Sequence, residues 1–180
     1  MIGNYFRKMI GATQSPPRVG LAEILWSWLG AFLGIGAVAY INYGWLDATG
    51  LLLLIGSLGA SAVLIYGAIK SPLAQPRNFL GGHVISALIG VTAFKLLAPH
   101  LWLAAALAVA FSVALMHATK TLHPPGGATA LIAVISGPQV TNLGYFYALM
   151  PVGAGALVML AVALLVNNLA PRRRYPEFWW

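Results

Sequence analysis

The chain has no cysteine, and only three of its 180 residues are carboxylates, Glu23, Asp47 and Glu177. The first absence removes disulfides, thiolate metal sites and thiol nucleophiles. The second is more restrictive, because all three carboxylates lie at or near the ends of apolar tracts. A cation site or a carboxylate proton relay deep in an apolar core therefore has no ligands to draw on. Charge is scarce altogether, at 7% of residues, against roughly 25% in a soluble domain. What replaces it is apolar, 60% of the chain, with a mean hydropathy of +0.84. The long tracts recur over the whole length, which is the pattern of an integral membrane protein with a single transmembrane domain. The net charge of +7 does not point to nucleic acid, since the bases sit beside apolar runs and form no stripe with interleaved aromatics.

Six apolar tracts predict an all-α polytopic membrane protein, with four full transmembrane helices and two broken or re-entrant tracts. Residues 1–20 carry Arg7, Lys8, Arg18 and a Pro-Pro break, and read as a cytoplasmic lead rather than a cleaved signal. Ile2, Tyr5, Phe6, Met9 and Ile10 give this lead an apolar side for the membrane surface. The full spans fall at about 21–41, 79–97, 101–118 and 145–169. The broken tracts are 51–69, interrupted by Gly56-Ser57-Leu58-Gly59, and 121–135. Residues 170–180 form a basic and aromatic tail, with Arg172, Arg173, Arg174, Tyr175, Phe178, Trp179 and Trp180. If every tract crosses once, nearly all bases share one side, both termini are cytoplasmic and Lys95 alone faces the other way. Gly30 and Gly34 read as a close helix contact, and the glycine pairs and small size predict a homo-oligomer.

The run Thr121-Leu122-His123-Pro124-Pro125-Gly126-Gly127-Ala128-Thr129-Ala130-Leu131 organises the rest. Each proline fixes φ and lacks an N–H, so helix should stop near Leu122 and resume no earlier than Pro125. The helical part covers only half of a hydrocarbon core of roughly 30 Å, and extended backbone must supply the remainder. The first amides of the new helix, around Gly126, Gly127, Ala128 and Thr129, lack intrahelical partners and sit at its positive end, which suits an anion. Gly59-Ala60-Ser61-Ala62-Val63-Leu64-Ile65 resembles Gly127-Ala128-Thr129-Ala130-Leu131-Ile132-Ala133, 68 residues on. Each copy lies in the middle tract of a three-tract group, 21–97 and 101–169. Three is odd, so the groups form a 3+3 inverted repeat whose half-helices, starting near Gly59 and Gly127, aim their N-termini at one another.

Several side chains then become candidates, each with a plainer alternative. His123 donates to an anion or carries a proton, or else braces the break through a carbonyl. Gly126 and Gly127 approach a solute or merely permit the turn. Ser61 and Thr129 offer hydroxyls or bond back to the preceding turn. Gln75, Arg77 and Asn78 form a vestibule that attracts anions, though Arg77 also suits a positive-inside anchor and Gln75 the satisfaction of loop carbonyls. His83, Ser86 and Gly90 share one face of the third span, which should face the protein interior or a pore. Proton coupling, without carboxylates, falls to His83 and His123. No metal site, cofactor or catalytic constellation is indicated, and no enzyme is expected.

Leu58-Gly59-Ala60-Ser61-Ala62-Val63-Leu64, Pro72-Leu73-Ala74-Gln75-Pro76-Arg77-Asn78, Gly81-Gly82-His83 and His123-Pro124-Pro125-Gly126-Gly127-Ala128 together resemble the HPP family of integral membrane proteins, named for its His-Pro-Pro motif. The resemblance covers nearly the whole chain. It implies a protein of bacterial, cyanobacterial or plastid membranes with about four transmembrane helices, in a family some of whose members carry nitrite. The expectation is therefore a bacterial or cyanobacterial inner-membrane transporter of a small monovalent anion, nitrite above all, with Gly59, Ala60, Ser61, His83, His123, Gly126, Gly127, Ala128 and Thr129 at its site. The rival readings are a path for another small solute and a membrane partner protein that transports nothing.

Overall fold

The computed structural model describes residues 2–11 and 13–180, with side chains from Tyr5 onward. After a short helix, Ile2–Arg7 (α1), the lead to Gly20 is exposed, with Tyr5, Phe6, Met9 and Ile10 on the surface. The side chain of Ile2, expected beside them, lies outside the described residues. Leu21–Ile41 (α2) starts from an extended Gly20 and places Glu23 in its first turn, at the positive end of the helix dipole. Its buried stripe is Gly30, Gly34 and Val38, at four-residue spacing. The ring of Tyr66 fills the groove left by the two glycines: a Cβ on Gly30 would lie 2.6 Å from its Cδ1. The expected close contact at this pair is present, with an aromatic side chain as the partner. Beyond α2 the chain winds through a π turn, Asn42–Leu46, and a 3-10 turn, Asp47–Thr49.

The second tract is split. Residues 51–55 are extended, and Gly56–Gly67 (α3) is helical. Extended backbone in an apolar surrounding needs its amides satisfied. Asn42 does this, its Oδ1 accepting from the Leu53 and Leu54 amides at 2.7 and 3.1 Å. A 3-10 turn, Pro72–Ala74, leads to Pro76–Leu97 (α4), which turns at Ala98–His100 into Leu101–Ala118 (α5). Extended residues 121–123 precede Pro124–Ile135 (α6), and here Asn78 Nδ2 donates to the Leu122 carbonyl at 2.9 Å. A one-turn helix, Pro138–Thr141 (α7), and a kinked π segment, Ala148–Gly153, precede Ala154–Leu169 (α8).

Several expected boundaries move. The half-helices begin at Gly56 and Pro124, three residues before Gly59 and Gly127. Prolines at the first two positions of α6 are the reason helix resumes before Pro125: those positions need no N–H, and a proline φ already fits a helix. Helix α4 starts at Pro76 rather than at 79, so Arg77 and Asn78 belong to its first turn and not to a loop. The last span is interrupted where Met150 leaves helical φ/ψ before Pro151.

By length and composition, three continuous apolar segments among the described residues can cross a membrane, 21–49, 76–118 and 148–169, the second containing both α4 and α5. Each half-helix has 12 residues, about 18 Å at 1.5 Å per residue, and relies on its extended lead to complete a crossing. Helix α2 packs on α3 and α8, while α5 packs on α6 and α4. The α4–α6 crossing is close because of its glycines. A Cβ on Gly90 would lie 2.5 Å from the Ala130 carbonyl oxygen, and one on Gly82 2.8 Å from the Thr121 carbonyl oxygen. Backbone cannot yield as a side chain can. Gly90→Ala should therefore lower stability by about 1–3 kcal/mol, seen as a lower melting temperature in detergent. Gly59→Ala, with nothing within 4 Å of the new methyl, should be neutral or gain up to about 1 kcal/mol of helix propensity.

Candidate functional site

Two serines, one threonine and two histidines, from three helices and one helix cap, meet in a fully buried cluster. Ser57 and Ser61 are four residues apart on α3 and therefore share a face. His83 lies on α4, His123 is the extended residue capping α6, and Thr129 is in the second turn of α6. All five are 0% exposed. Ser61 Oγ lies 2.7 Å from His83 Nε2 and 2.8 Å from His123 Nε2. His83 Nδ1 is 2.6 Å from Thr129 Oγ1, which donates to Ser57 Oγ at 2.8 Å. His123 Nδ1 donates to the Leu73 carbonyl at 2.7 Å. The two imidazoles are 5.0 Å apart between centroids, and Phe79 covers both, 5.3 Å from each ring. The result is one continuous hydrogen-bonded chain from the first turn of α3 to the loop before α4.

The hydroxyls have partners for both readings, with one hydrogen each to share among them. Ser61 and Thr129 bond back to the carbonyls of Ser57 and Pro125, at 3.2 and 3.4 Å, while also joining the histidines. His123 braces a carbonyl, but across the fold rather than in its own break. His83, Ser86 and Gly90 are all buried, so the polar face of α4 turns inward.

The glycine-rich positions behave differently from the side chains. A Cβ on Gly126 would lie 2.8 Å from Ser86 Oγ and 2.9 Å from the Gly82 carbonyl, so this glycine allows α6 to press on α4. Its amide donates to the His123 carbonyl at 2.8 Å, and Pro124 and Pro125 have none to offer. The amide cradle expected for an anion is thus largely taken up within the helix start. Gly59 and Ala60 are exposed, and Gly127 and Ala128 half-exposed, on helix faces turned away from the cluster. Gln75 and Asn78 are buried braces: Gln75 Nε2 donates to the carbonyls of Ile69 and Ser71, and its Oε1 accepts the Glu177 amide. Arg77 lies over the Phe178 ring, its carbon 5.7 Å from the centroid. Nε of Arg77 and Oδ1 of Asn78 are buried without partners.

Two features were hidden from sequence reading. Ser57 was assigned to an interruption, although its spacing of four from Ser61 marks a shared face. Arg173, one of three tail arginines, is buried, with its guanidinium 2.7 Å from Glu23 Oε1 and Ser27 Oγ and 3.0 Å from Asn167 Oδ1. Nothing in the spacing of Arg172, Arg173 and Arg174 distinguishes it. The tail behind it is equally ordered: Tyr175 donates to the Ala74 carbonyl at 2.7 Å, and burial pushes that hydroxyl above its usual titration range, keeping it a donor.

The sequence is similar to those of known proteins. Two transmembrane proteins of Dictyostelium discoideum are 49% identical over 179 residues and 46% identical over 181. Each alignment takes in 98% of this chain but 57% and 63% of the relative, so the chain spans about three fifths of the length of the curated relatives it matches. No solved structure matches. The family model described as "HPP, transmembrane region" matches residues 16–176, from the lead before α2 through the ordered tail and across every member of the buried cluster. On that match the chain belongs to the HPP transmembrane family.

Proposed function

We propose that the protein carries a small monovalent anion, nitrite foremost, across a membrane through the point where α3 and α6 meet. The observation that carries this reading is the cluster of Ser61, His83, His123 and Thr129, buried between two half-helices. Each member can donate, and no carboxylate hydrogen-bonds to any of them among the described residues. Dehydrating an anion costs several kcal/mol, and three or four charge-assisted hydrogen bonds of about 1.5–3 kcal/mol each offset that cost without making a trap. Side chains take over the role first expected of backbone amides. In the present arrangement they satisfy one another, so an entering anion takes over donors that now serve the cluster itself.

The architecture is read here as a 3+3 inverted repeat. Helices α3 and α6 have 12 residues each, start 68 residues apart, and bury the same six positions in register. Exchanging α2, α3, α4 for α5, α6, α8 also exchanges their packing partners. The position 68 residues after His83 is Pro151, at the kink before α8, so the repeat leaves the histidine site one-sided. Arg77 beside Phe178 and Arg173 beside Glu23 gather at one end of the bundle, and Lys95 beside Tyr145 lies elsewhere. That distribution favours cytoplasmic termini.

Liposomes loaded with purified protein should take up nitrite faster than protein-free liposomes, and faster than they take up nitrate, formate or chloride. Uptake of all four at the protein-free rate would overturn the transport reading. It would favour the alternative drawn from the closure of the cluster, a membrane protein that transports nothing.

A further inference from the structure

Counting hydrogens in the cluster leads beyond anion binding. Nδ1 of His123 faces the Leu73 carbonyl, which only accepts, so this nitrogen carries a hydrogen. Thr129 donates its hydrogen to Ser57, so Nδ1 of His83 supplies the hydrogen in its 2.6 Å contact with Thr129. Both imidazoles then present Nε2 to Ser61, at 2.7 and 2.8 Å, and the single hydrogen of that hydroxyl serves one of them in preference to the longer, 3.2 Å contact with the Ser57 carbonyl. The second contact requires a hydrogen on nitrogen. With these donors, the heavy-atom positions suit a pair holding one proton in excess.

The neutral pair fits the same positions with different hydrogens. Thr129 turns its hydroxyl from Ser57 to Nδ1 of His83, giving up the bond it donates to Ser57, while His83 donates from Nε2 to Ser61 and Ser61 donates to Nε2 of His123. One proton is thus gained or lost by hydroxyl rotation and tautomer exchange, without moving a helix. The surroundings supply no counter-ion. Phe79 of α4 covers both rings, and Ser57 and Ser61 of α3 are neutral. Tyr147, before α8, is the other titratable side chain at the cluster, and it donates to the Thr129 carbonyl at 3.1 Å. Among the described residues, no carboxylate, lysine or arginine hydrogen-bonds to any of the five. A lone positive charge buried there is costly, and a lone anion is equally costly. Together they neutralise each other.

Resting on the transport reading above, we propose that the His83–Ser61–His123 unit takes up one proton for each anion it binds, so that anion and proton cross together and no net charge moves. The proton comes from water on the side the anion enters, resides on an Nε2 atom of the pair, and leaves with the anion into water on the other side. The chain ends the cycle with the charge it began with.

Adding sodium nitrite to the detergent-purified protein in weakly buffered solution near neutral pH should remove one proton from solution per nitrite bound. Nitrogen-labelled histidine spectra should show an imidazolium at His83 or His123 under nitrite saturation, and uptake in liposomes should be indifferent to a potassium diffusion potential. The wild-type protein provides all three readouts, so none depends on a variant folding. Nitrite binding without proton uptake, or flux that follows the potential, would overturn the coupling and leave the transport reading standing. Absence of any binding or flux of nitrite, nitrate, formate or chloride would overturn the transport reading and the coupling with it.

Discussion

Arg173→Ala should destabilise the protein by roughly 1–3 kcal/mol, the cost of leaving its buried hydrogen-bond partners unsatisfied. The side chain of Arg173 is 2% exposed and that of Glu23 37%, so truncation leaves the carboxylate partly wet but empties the arginine's place among Ser27, Asn167 and the Glu23 carbonyl. Those contacts tie the start of α2 to the end of α8. They also hold the tail where Tyr175 reaches Ala74 and the Glu177 amide reaches Gln75, one and two residues past Leu73. Arg172→Ala and Arg174→Ala, at exposed positions, should stay within about 0.5 kcal/mol of wild type. Melting temperatures of the three variants in one detergent decide the matter. Equal shifts would mean that Arg173 is an ordinary member of a positive-inside cluster. A double-mutant cycle with Glu23→Gln should show clear non-additivity, since the two side chains share one contact.

That arginine also shows where sequence reading stops. The positive-inside rule sorts bases by the side of the membrane and is silent on which of three adjacent ones turns inward. Broken helices were legible because proline and glycine act locally, through φ and a missing N–H. The start of α6 was misplaced because proline in the first turn belongs to the helix it appears to interrupt, and that of α3 because Gly56 opens the helix rather than interrupting it. The pairing of α3 with α6 was foreshadowed by the GASA and GATA matches, yet a motif match carries no helical phase. Gly59 and Ala60 attract notice as sequence and face away from the cluster, whereas Ser57, outside the match, joins it. Asn42 and Asn78 were not seen as braces at all. Their task, satisfying extended backbone 11 and 44 residues further along the chain, exists only once the fold has placed that backbone in an apolar setting.

Ser61→Ala should have the largest effect on function. Among the described residues the hydroxyl alone bridges His83 Nε2 and His123 Nε2, and its loss leaves two buried nitrogens facing a methyl group. An unsatisfied buried polar group costs about 1–3 kcal/mol, so a loss of this size from the transport barrier alone slows nitrite uptake roughly tenfold to a hundredfold. Ser61→Thr restores the hydroxyl, in the form that the matching position Thr129 already carries, and should recover much of the uptake while losing about 1–3 kcal/mol of stability to its extra methyl. The contrast separates chemistry from packing. If function follows the hydroxyl, Thr works and Ala fails even though Thr is the more crowded; if it follows volume, Ala works and Thr fails. An Ala variant with wild-type uptake would remove the bridge from the mechanism, and with it the route by which one proton is shared between the two imidazoles.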